Sequence, residues 1–431
     1  MTTSTATWLA ADPALPQRDA LLDTDVVAER IGRLFCATGR VTVERCERLR
    51  VNYQIGKSLR VLHRVDAAGA TWTIAARAGR GAREPIAPLA SRAGMRPAFH
   101  DADLNTTYWV FPNDRKIAGL PAVACATVAV NDPALLAWTS SRPVAYAPEK
   151  SATLACLDSA GAPVAYARVC AEPADCSYRI YRALYESLAG GDAHVRVPRP
   201  IAYLPSHHTL FLEAIAGRRL ADSAGEHAHL PADARRLGAA LAAFHGLRAG
   251  PAPPFARFAP DRLVGAARLV SHVRPDIERQ ATELARKLAT RAGDAAGEPV
   301  TLHGDVHPKN AIVTGAGIAL VDAEDVAIGP AAADVGSVLA AFAYLQCGGQ
   351  LNAADHDAFA GAFLDEYAAV RPLPGAAALR WHSAAALFLE RAVRAVTRIR
   401  PLGLCYLAEL LTEADAMLTA SGNDRDSLRG L

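Results

Sequence analysis

The residues best placed to do chemistry lie in His303-Gly304-Asp305-Val306-His307-Pro308-Lys309-Asn310 and, just beyond, in Val321-Asp322-Ala323-Glu324-Asp325. An aspartate able to accept a proton precedes an asparagine five residues on (305 to 310) and a second aspartate twelve beyond that (310 to 322). Phosphoryl transfer from a nucleotide needs such a set. One carboxylate orients the attacking hydroxyl, while an amide oxygen and another carboxylate hold the magnesium that screens the phosphates. Asp305 is the candidate catalytic group, and Asn310 and Asp322 are the candidate metal ligands. Asp305 need not be a strong base, because a loose transition state keeps the acceptor proton on until late and orientation matters more. Asp322, beside a dication, is expected to stay ionised.

Taken alone, each residue has an ordinary reading. An aspartate after an apolar strand is often a helix cap; the register of Asn310 and Asp322 with Asp305 is what argues for chemistry. His303 and His307 lie four apart, but no third His, Cys or Glu nearby completes a zinc site. Gly79-Arg80-Gly81 lacks the third glycine of a dinucleotide fingerprint, position 84 being Glu, and no Walker-type P-loop sequence occurs.

The 431 residues exceed what one hydrophobic core usually serves, so two or three domains are expected. With 51% hydrophobic and 21% charged residues and a formal net charge of +2, the chain reads as globular, with no polybasic arm or acidic tail to call for nucleic acid or a membrane. The expected partner is a small hydroxylated molecule; oligomeric state is not legible. Eight cysteines without a close CxxC pair read as reduced thiols. The absence of a leader-like start and of eighteen uninterrupted apolar residues predicts a cytoplasmic location.

The elements that must position these residues follow from periodicity. Residues 1–22, rich in Ala, Pro and Thr, read as a flexible N-terminus. Asp23, Thr24 and Asp25 then supply the cap and first-turn acids of a helix carrying Val27, Ile31, Leu34 and Phe35 and ending at Gly39. Val51 to Ser58 and Val144 to Ser151 share Tyr, Lys and Ser at one offset of 93 (146 − 53), and each is followed by an Asp-x-Ala-Gly-Ala turn and a strand ending in Arg77 or Arg168. A duplicated β unit is one reading; coincidental hairpin chemistry is the other. Residues 23–133 are assigned to an N-terminal α+β domain, 134–217 to a β-rich lobe with a connector at Thr209 to Gly217, and 218–431 to a helical lobe. Helices are predicted over 177–188, 232–247, 277–292, 331–345, 355–370, 376–399 and 407–418.

With both motifs in this order and at this separation, the chain resembles the aminoglycoside phosphotransferase family, relatives of choline kinases, over about residues 140–420. The resemblance implies an α+β, protein-kinase-like two-lobed fold and transfer of the γ-phosphate of ATP or GTP, with Mg2+, to a hydroxyl of a small molecule. It casts Asp305 as the catalytic aspartate, Asn310 and Asp322 as magnesium ligands, His303 as the loop anchor and Asp334 as the brace beneath it. His307 sits where a protein kinase places a lysine near the transferred phosphate. In the β-rich lobe the family's phosphate-gripping lysine is replaced by Arg168, a bulkier cation that forks onto phosphate from another angle. Lys150 and Ser151 on the preceding turn are expected to close over the phosphates, Glu186 to be the helix partner of Arg168, and the backbone of Glu213 and Ile215 to read the adenine edge.

Asp355, Asp357, Asp365 and Glu366 form an acidic run suited to a cationic acceptor such as an antibiotic, although acidic helix faces are usually solvated and Arg391, Arg394, Arg398 and Arg400 lie nearby in sequence. A sugar, a nucleoside-like natural product and an amino alcohol stay open as acceptors. Two other readings stay open as well: a kinase-shaped nucleotide-binding protein without turnover, which Arg168 would favour, and a protein kinase, which Gly304 in place of the usual loop arginine disfavours.

Overall fold

A computed structural model describes residues 8–36, 39–79, 95–188, 194–225 and 230–420. Residues 1–7 of the N-terminal stretch and 80–94 of the assigned N-terminal domain lie outside them. The fold is α+β and divides into two compact units, one of Met1–Asp175, Ile201–Ala214 and Thr397–Ile399, the other of Cys176–Pro200, Ile215–Val396 and Arg400–Leu431. Among the described residues no helix is long and apolar enough to cross a membrane.

The first unit opens with helices α1 (Arg18–Leu22) and α2 (Thr24–Leu34). The expectation of flexibility up to residue 22 is corrected for residues 8–22: Leu9, Leu15 and Leu21 are buried, and the buried Arg18 guanidinium is met by Asp19, by the Ala10 carbonyl and by Tyr53. The Asp23 carboxylate caps α2 by accepting from the N–H groups of Asp25 and Val26. The helix stops at Leu34, short of Gly39, because Phe35 wedges edge-on against Trp72 (5.1 Å between ring centres) and Cys36 bridges to Met95.

Strands β1 (Val43–Gln54), β2 (Ser58–Ala67), β3 (Ala70–Gly79), β4 (Ala98–Asp101) and β5 (Thr106–Val110) form a sheet in the order β1-β2-β3-β5-β4. After α3 (Leu120–Ala124) come β6 (Ser140–Ala147), β7 (Ser151–Leu157) and β8 (Pro163–Cys170). The chain then leaves for α4 (Asp175–Ser187) and the short β9 (Val195–Arg196), returning as β10 (Pro200–Leu204) and β11 (Thr209–Glu213). The second sheet runs β6-β7-β8-β11-β10, so both sheets place their strands first, second, third, fifth, fourth. Alternation along the strands turns one face of each sheet inward, and a single core unites them through Leu62, Trp109, Tyr146, Leu154 and Phe211. The line expected near residue 133 separates two sheets of one compact unit.

The likeness at the 93-residue offset corresponds to equivalent places in the two sheets. Gly56 and Glu149 both take left-handed backbone angles (φ 68° and 63°) in the first turn of their sheets. Asp12 Oδ2 accepts from Tyr53 Oη (2.7 Å) and Gly56 N (2.9 Å); Asp114 Oδ2 accepts from Tyr146 Oη (2.6 Å) and Glu149 N (2.9 Å). A buried carboxylate thus pins each turn to the strand that precedes it. The aspartate precedes its sheet by more residues than any local motif spans, which is why periodicity alone does not reveal it.

The second unit contains α5 (Leu230–Phe244), α6 (Pro260–Val273), α7 (Glu278–Thr290), α8 (Ala332–Cys347), α9 (Ala353–Val370), α10 (Ala376–Ala386), a π-helical turn over Leu387–Ala392, α11 (Val393–Arg398), α12 (Pro401–Cys405) and α13 (Leu407–Thr419). Six of these recover the helical spans read from periodicity. Helix α6, begun by Pro260 and burying Leu263, Ala266, Ala267, Val270 and Val273, was not among them. Small residues let the central helices approach: a Cβ on Gly238 would strike the Phe363 carbonyl, joining α5 to α9, and one on Gly336 would strike the backbone at His382 and Ser383, joining α8 to α10. Strands β12 (Arg218–Arg219), β14 (Ala311–Val313) and β15 (Ile318–Leu320) join β9 in one small sheet, and β13 (Pro299–Leu302) pairs with β16 (Ala327–Pro330) in another.

Two stability measurements follow. Replacing Asp12 or Asp114 by Ala strands a buried tyrosine hydroxyl and a turn N–H, so each substitution should cost on the order of 2–4 kcal/mol in urea unfolding. His382 is buried and donates from Nε2 to the Ala295 carbonyl at 3.0 Å, and burial pushes its pKa from 6.5 down to about 4. Its neutral form therefore stabilises the fold fully above pH 6.5, and that contribution, about 3 kcal/mol, is lost as pH falls from about 6.5 towards 4. Unfolding of His382→Gln should be flatter over that window; an unchanged acid limb would refute the assignment.

Candidate active site

Strand β13 delivers the loop that carries Asp305, and the loop hangs from one carboxylate. Asp334, in the first turn of α8 and only 2% exposed, accepts from His303 N (2.6 Å, Oδ2) and Gly304 N (3.0 Å, Oδ1). Burial alone would raise its pKa, but His245 at 3.3 Å, His303 and the loop N–H groups outweigh it and hold the carboxylate below its usual range. The other ring nitrogen of His245 meets Tyr367 Oη at 2.8 Å. Gly304 has φ 78°, and a Cβ there would strike the Asp325 carbonyl, so only glycine fits where a protein kinase loop carries arginine.

The three residues singled out for chemistry come together at the far end of this loop. Asn310 Nδ2 donates to the Asp305 carbonyl at 3.0 Å, while Asn310 Oδ1 takes no hydrogen bond among the described residues. The Val321 N–H donates to the Asn310 carbonyl (2.9 Å), Ala311 faces Leu320 across β14 and β15, and Asp322 follows directly with φ 63°. Tyr181 Oη of α4 accepts from Ala323 N at 2.9 Å, fixing the chain just after Asp322. Aspartate tolerates left-handed backbone better than most residues, and such strain often marks function. No three His, Cys, Asp or Glu side chains gather into a metal site among the described residues. One amide oxygen and one carboxylate instead fit Mg2+, which fills its remaining positions with water and substrate phosphate.

His303 is fully buried, and its Nε2 lies 3.1 Å from the Val321 carbonyl, tying the loop to the strand before Asp322. His307 Nδ1 accepts from Lys309 N at 3.2 Å, so the ring proton sits on Nε2, which faces Asp305 Oδ2 at 3.7 Å. Burial first, then Arg391 and Arg394, push the His307 pKa down to about 4, despite the opposing pull of Asp305. It is neutral at physiological pH. It braces the loop and turns an N–H towards the carboxylate.

Arginines surround Asp305 to a degree that sequence reasoning missed. Arg394 NH1 and NH2 both reach Asp305 Oδ1 at 3.3 Å, and Arg257 NH1 lies at 3.6 Å from the same oxygen. Burial would raise the Asp305 pKa, but Arg394, His307, Arg257 and His303 together lower it. Arg257 also binds Glu390 (2.6 Å) and Asp325 (2.8 Å), and Glu390 in turn accepts from Ser337 Oγ (3.0 Å). Glu390 and Arg391 occupy the π-helical turn, whose extra residue re-aims side chains inside an otherwise continuous helix. Only the mention of Arg391 and Arg394 beside the acidic run foreshadowed this. The acidic run is placed otherwise: Asp355 serves the Asn352 cap and Asp357 pairs with His356.

The residues expected to grip the nucleotide are distributed over both units. Arg168 on β8 donates to Thr153 Oγ1 (3.4 Å) across the strand pair. Lys150 is exposed on the turn after β6, and Ser151 is buried at the start of β7. That turn is held in place by Glu149, whose buried carboxylate meets Arg115 (2.7 Å), Arg60 (3.4 Å) and Arg77 (3.4 Å). Glu213 ends β11 opposite Ala165, and Ile215 lies in the connector. The expectation that Glu186 partners Arg168 is corrected: Glu186 is exposed and pairs with Arg182 one turn before it in α4. The helix register sets Glu186 on the solvated face.

Replacing Gly304 by Ala forces a Cβ into backbone at a left-handed position, so it should cost about 2–3 kcal/mol in thermal unfolding. Asp334→Ala should cost at least as much by stranding two buried N–H groups. Wild-type stability in either variant would refute this account of the loop.

Residues 166–373 match the model of the phosphotransferase enzyme family. No curated protein matches the chain. Among solved structures, a choline/ethanolamine kinase family protein from Mesorhizobium loti is 16% identical, covering 72% of this chain and 97% of its own, with a TM-score of 0.48. A macrolide 2'-phosphotransferase from Brachybacterium faecium is 19% identical over 66% of this chain and 93% of its own, with a TM-score of 0.39. A choline kinase from Cryptosporidium parvum is 14% identical over 64% and 88%, with a TM-score of 0.43. Residues 166–373, which hold both motifs and the loop that Asp334 suspends, are thus the part of the chain that is similar to the phosphotransferase enzyme family.

Proposed function

We propose that the protein is a small-molecule kinase that moves the γ-phosphoryl group of ATP or GTP to an acceptor hydroxyl in the cytoplasm. The observation that carries this reading is the gathering of Asp305, Asn310 and Asp322 at the ends of one loop and two short strands, within the segment that matches the family. Asp305 orients the acceptor hydroxyl and takes its proton late, which suits a carboxylate whose basicity is reduced by Arg394 and His307. Asn310 through Oδ1 and Asp322 through its carboxylate would hold Mg2+, which when bound offsets charge on the β- and γ-phosphates. His303 and Asp334 keep the loop from moving, so that orientation is fixed before the acceptor arrives. Arg168 and Lys150 are assigned to the nucleotide phosphates. The eight free thiols are in keeping with a reducing compartment.

Release of ADP should appear in a panel of hydroxylated metabolites and antibiotics supplied with ATP and magnesium. Asp305→Asn should then lower kcat by about 10²–10⁴-fold while leaving nucleotide affinity within a few-fold. Nucleotide binding without ADP release from any acceptor, and indifference to Asp305→Asn, would favour a binding protein without turnover.

A further inference from the structure

The charge around Asp305 narrows the acceptor, on the premise that the site transfers phosphate as proposed above. Arg257 is already matched by Glu390 and Asp325. Arg394 is not: it shares a single oxygen of Asp305 with Arg257, at 3.3 Å, and has no other acid within ion-pair distance among the described residues. Arg391 is 8% exposed, gives one N–H to the Ser337 carbonyl (3.2 Å), and leaves its buried Nε without any hydrogen-bond partner. Glu390 and Asp305 attract its charge while Arg394 and Arg400 oppose it, and Lys309 in turn feels Arg400, Arg219 and Arg391. Arg219 on β12 faces Ile312, two residues past Asn310. Among the described residues none of Lys309, Arg219 and Arg400 has an acid partner.

Burying a guanidinium with an unmet N–H beside like charges is unfavourable, and such an arrangement is stabilised by an anion that enters it. The charge is also of the wrong sign for a polycationic or quaternary ammonium acceptor. We propose that the acceptor is an alcohol bearing an oxyanion, a carboxylate or a phosphate ester, held by Arg391, Arg394, Arg400 and Lys309. Arg394 plays a second part. Its contacts with Asp305 are long for a charge-assisted pair, and an arriving oxyanion competes for the same guanidinium. Moving Arg394 onto the acceptor frees Asp305 Oδ1 for the hydroxyl, so the anionic acceptor uncovers the group that orients it.

The test uses the intact chain with ADP and Mg2+ at saturation, titrated with inorganic phosphate, malonate, ethanolamine and choline and followed by calorimetry. Phosphate and malonate should bind, at least tenfold more tightly than either amine, and Arg400→Gln or Lys309→Gln should each weaken them several-fold. Both side chains are exposed, so these variants report even where the buried Arg391→Gln fails to fold. Equal or tighter binding of the amines, or anion binding unaffected by Arg400→Gln and Lys309→Gln, overturns the proposal. In parallel, ADP release is compared for glucose, glucosamine, glucuronate and glucose 6-phosphate. Turnover of glucosamine or glucose at a kcat/KM equal to that of the anionic sugars sinks the anionic acceptor but leaves phosphotransfer standing. Failure of ADP and Mg2+ to bind sinks phosphotransfer, and the anion titration, repeated without nucleotide, still decides the fate of the basic site.

Discussion

Two hydrogen bonds from the loop backbone to the Asp334 carboxylate are the constraint on which the rest of the site depends. They fix His303 and Gly304 from beneath, and the left-handed turn at Gly304 then throws Asp305 outward. Because Asp334 is itself held by His245, and His245 by Tyr367 on α9, the position of one catalytic candidate is tied to α8, to α9 and to the turn that follows α5. Within this chain the Asp334 carboxylate, both His245 ring nitrogens and the Tyr367 hydroxyl all find partners, which is when polar networks rigidify rather than destabilise a core.

The second layer is electrostatic. Asp305 sits where burial would favour protonation, and arginines reverse that bias. A carboxylate that orients a hydroxyl benefits from staying ionised, but it does not benefit from being covered. The structure resolves the tension with long contacts from Arg394 and Arg257, whose charge acts on Asp305 without close engagement. The π-helical turn makes this possible by rotating Glu390 and Arg391 inward together, so that a continuous helix supplies both an anchor for Arg257 and a further buried cation.

Much of this was legible in the sequence. The spacing of Asp305, Asn310 and Asp322 survives into geometry because the intervening residues form two three-residue strands, β14 and β15, with a tight turn. The helices of the second unit follow their periodicity, and the 93-residue offset marks two sheets with the same strand order. What was not legible depends on long-range pairing. Asp12 and Asp114 pin turns far along the chain, Arg257 meets Glu390 from 133 residues away, and Glu149 is caged by Arg60 and Arg77 of the first sheet and by Arg115 of the segment that follows it. No local pattern announces which of many arginines will reach a given carboxylate. The misassigned Glu186 is the converse case, a residue of suitable type whose helix register points it to solvent.

The central claim is that Asn310 and Asp322 hold the nucleotide's metal beside Asp305. Binding of Mn2+ to the ADP complex, followed by electron paramagnetic resonance, tests it most directly. The account predicts that Asn310→Ala and Asp322→Asn each weaken Mn2+ at least tenfold while Asp305→Asn changes it little; equal Mn2+ affinity in wild type, Asn310→Ala and Asp322→Asn would contradict it.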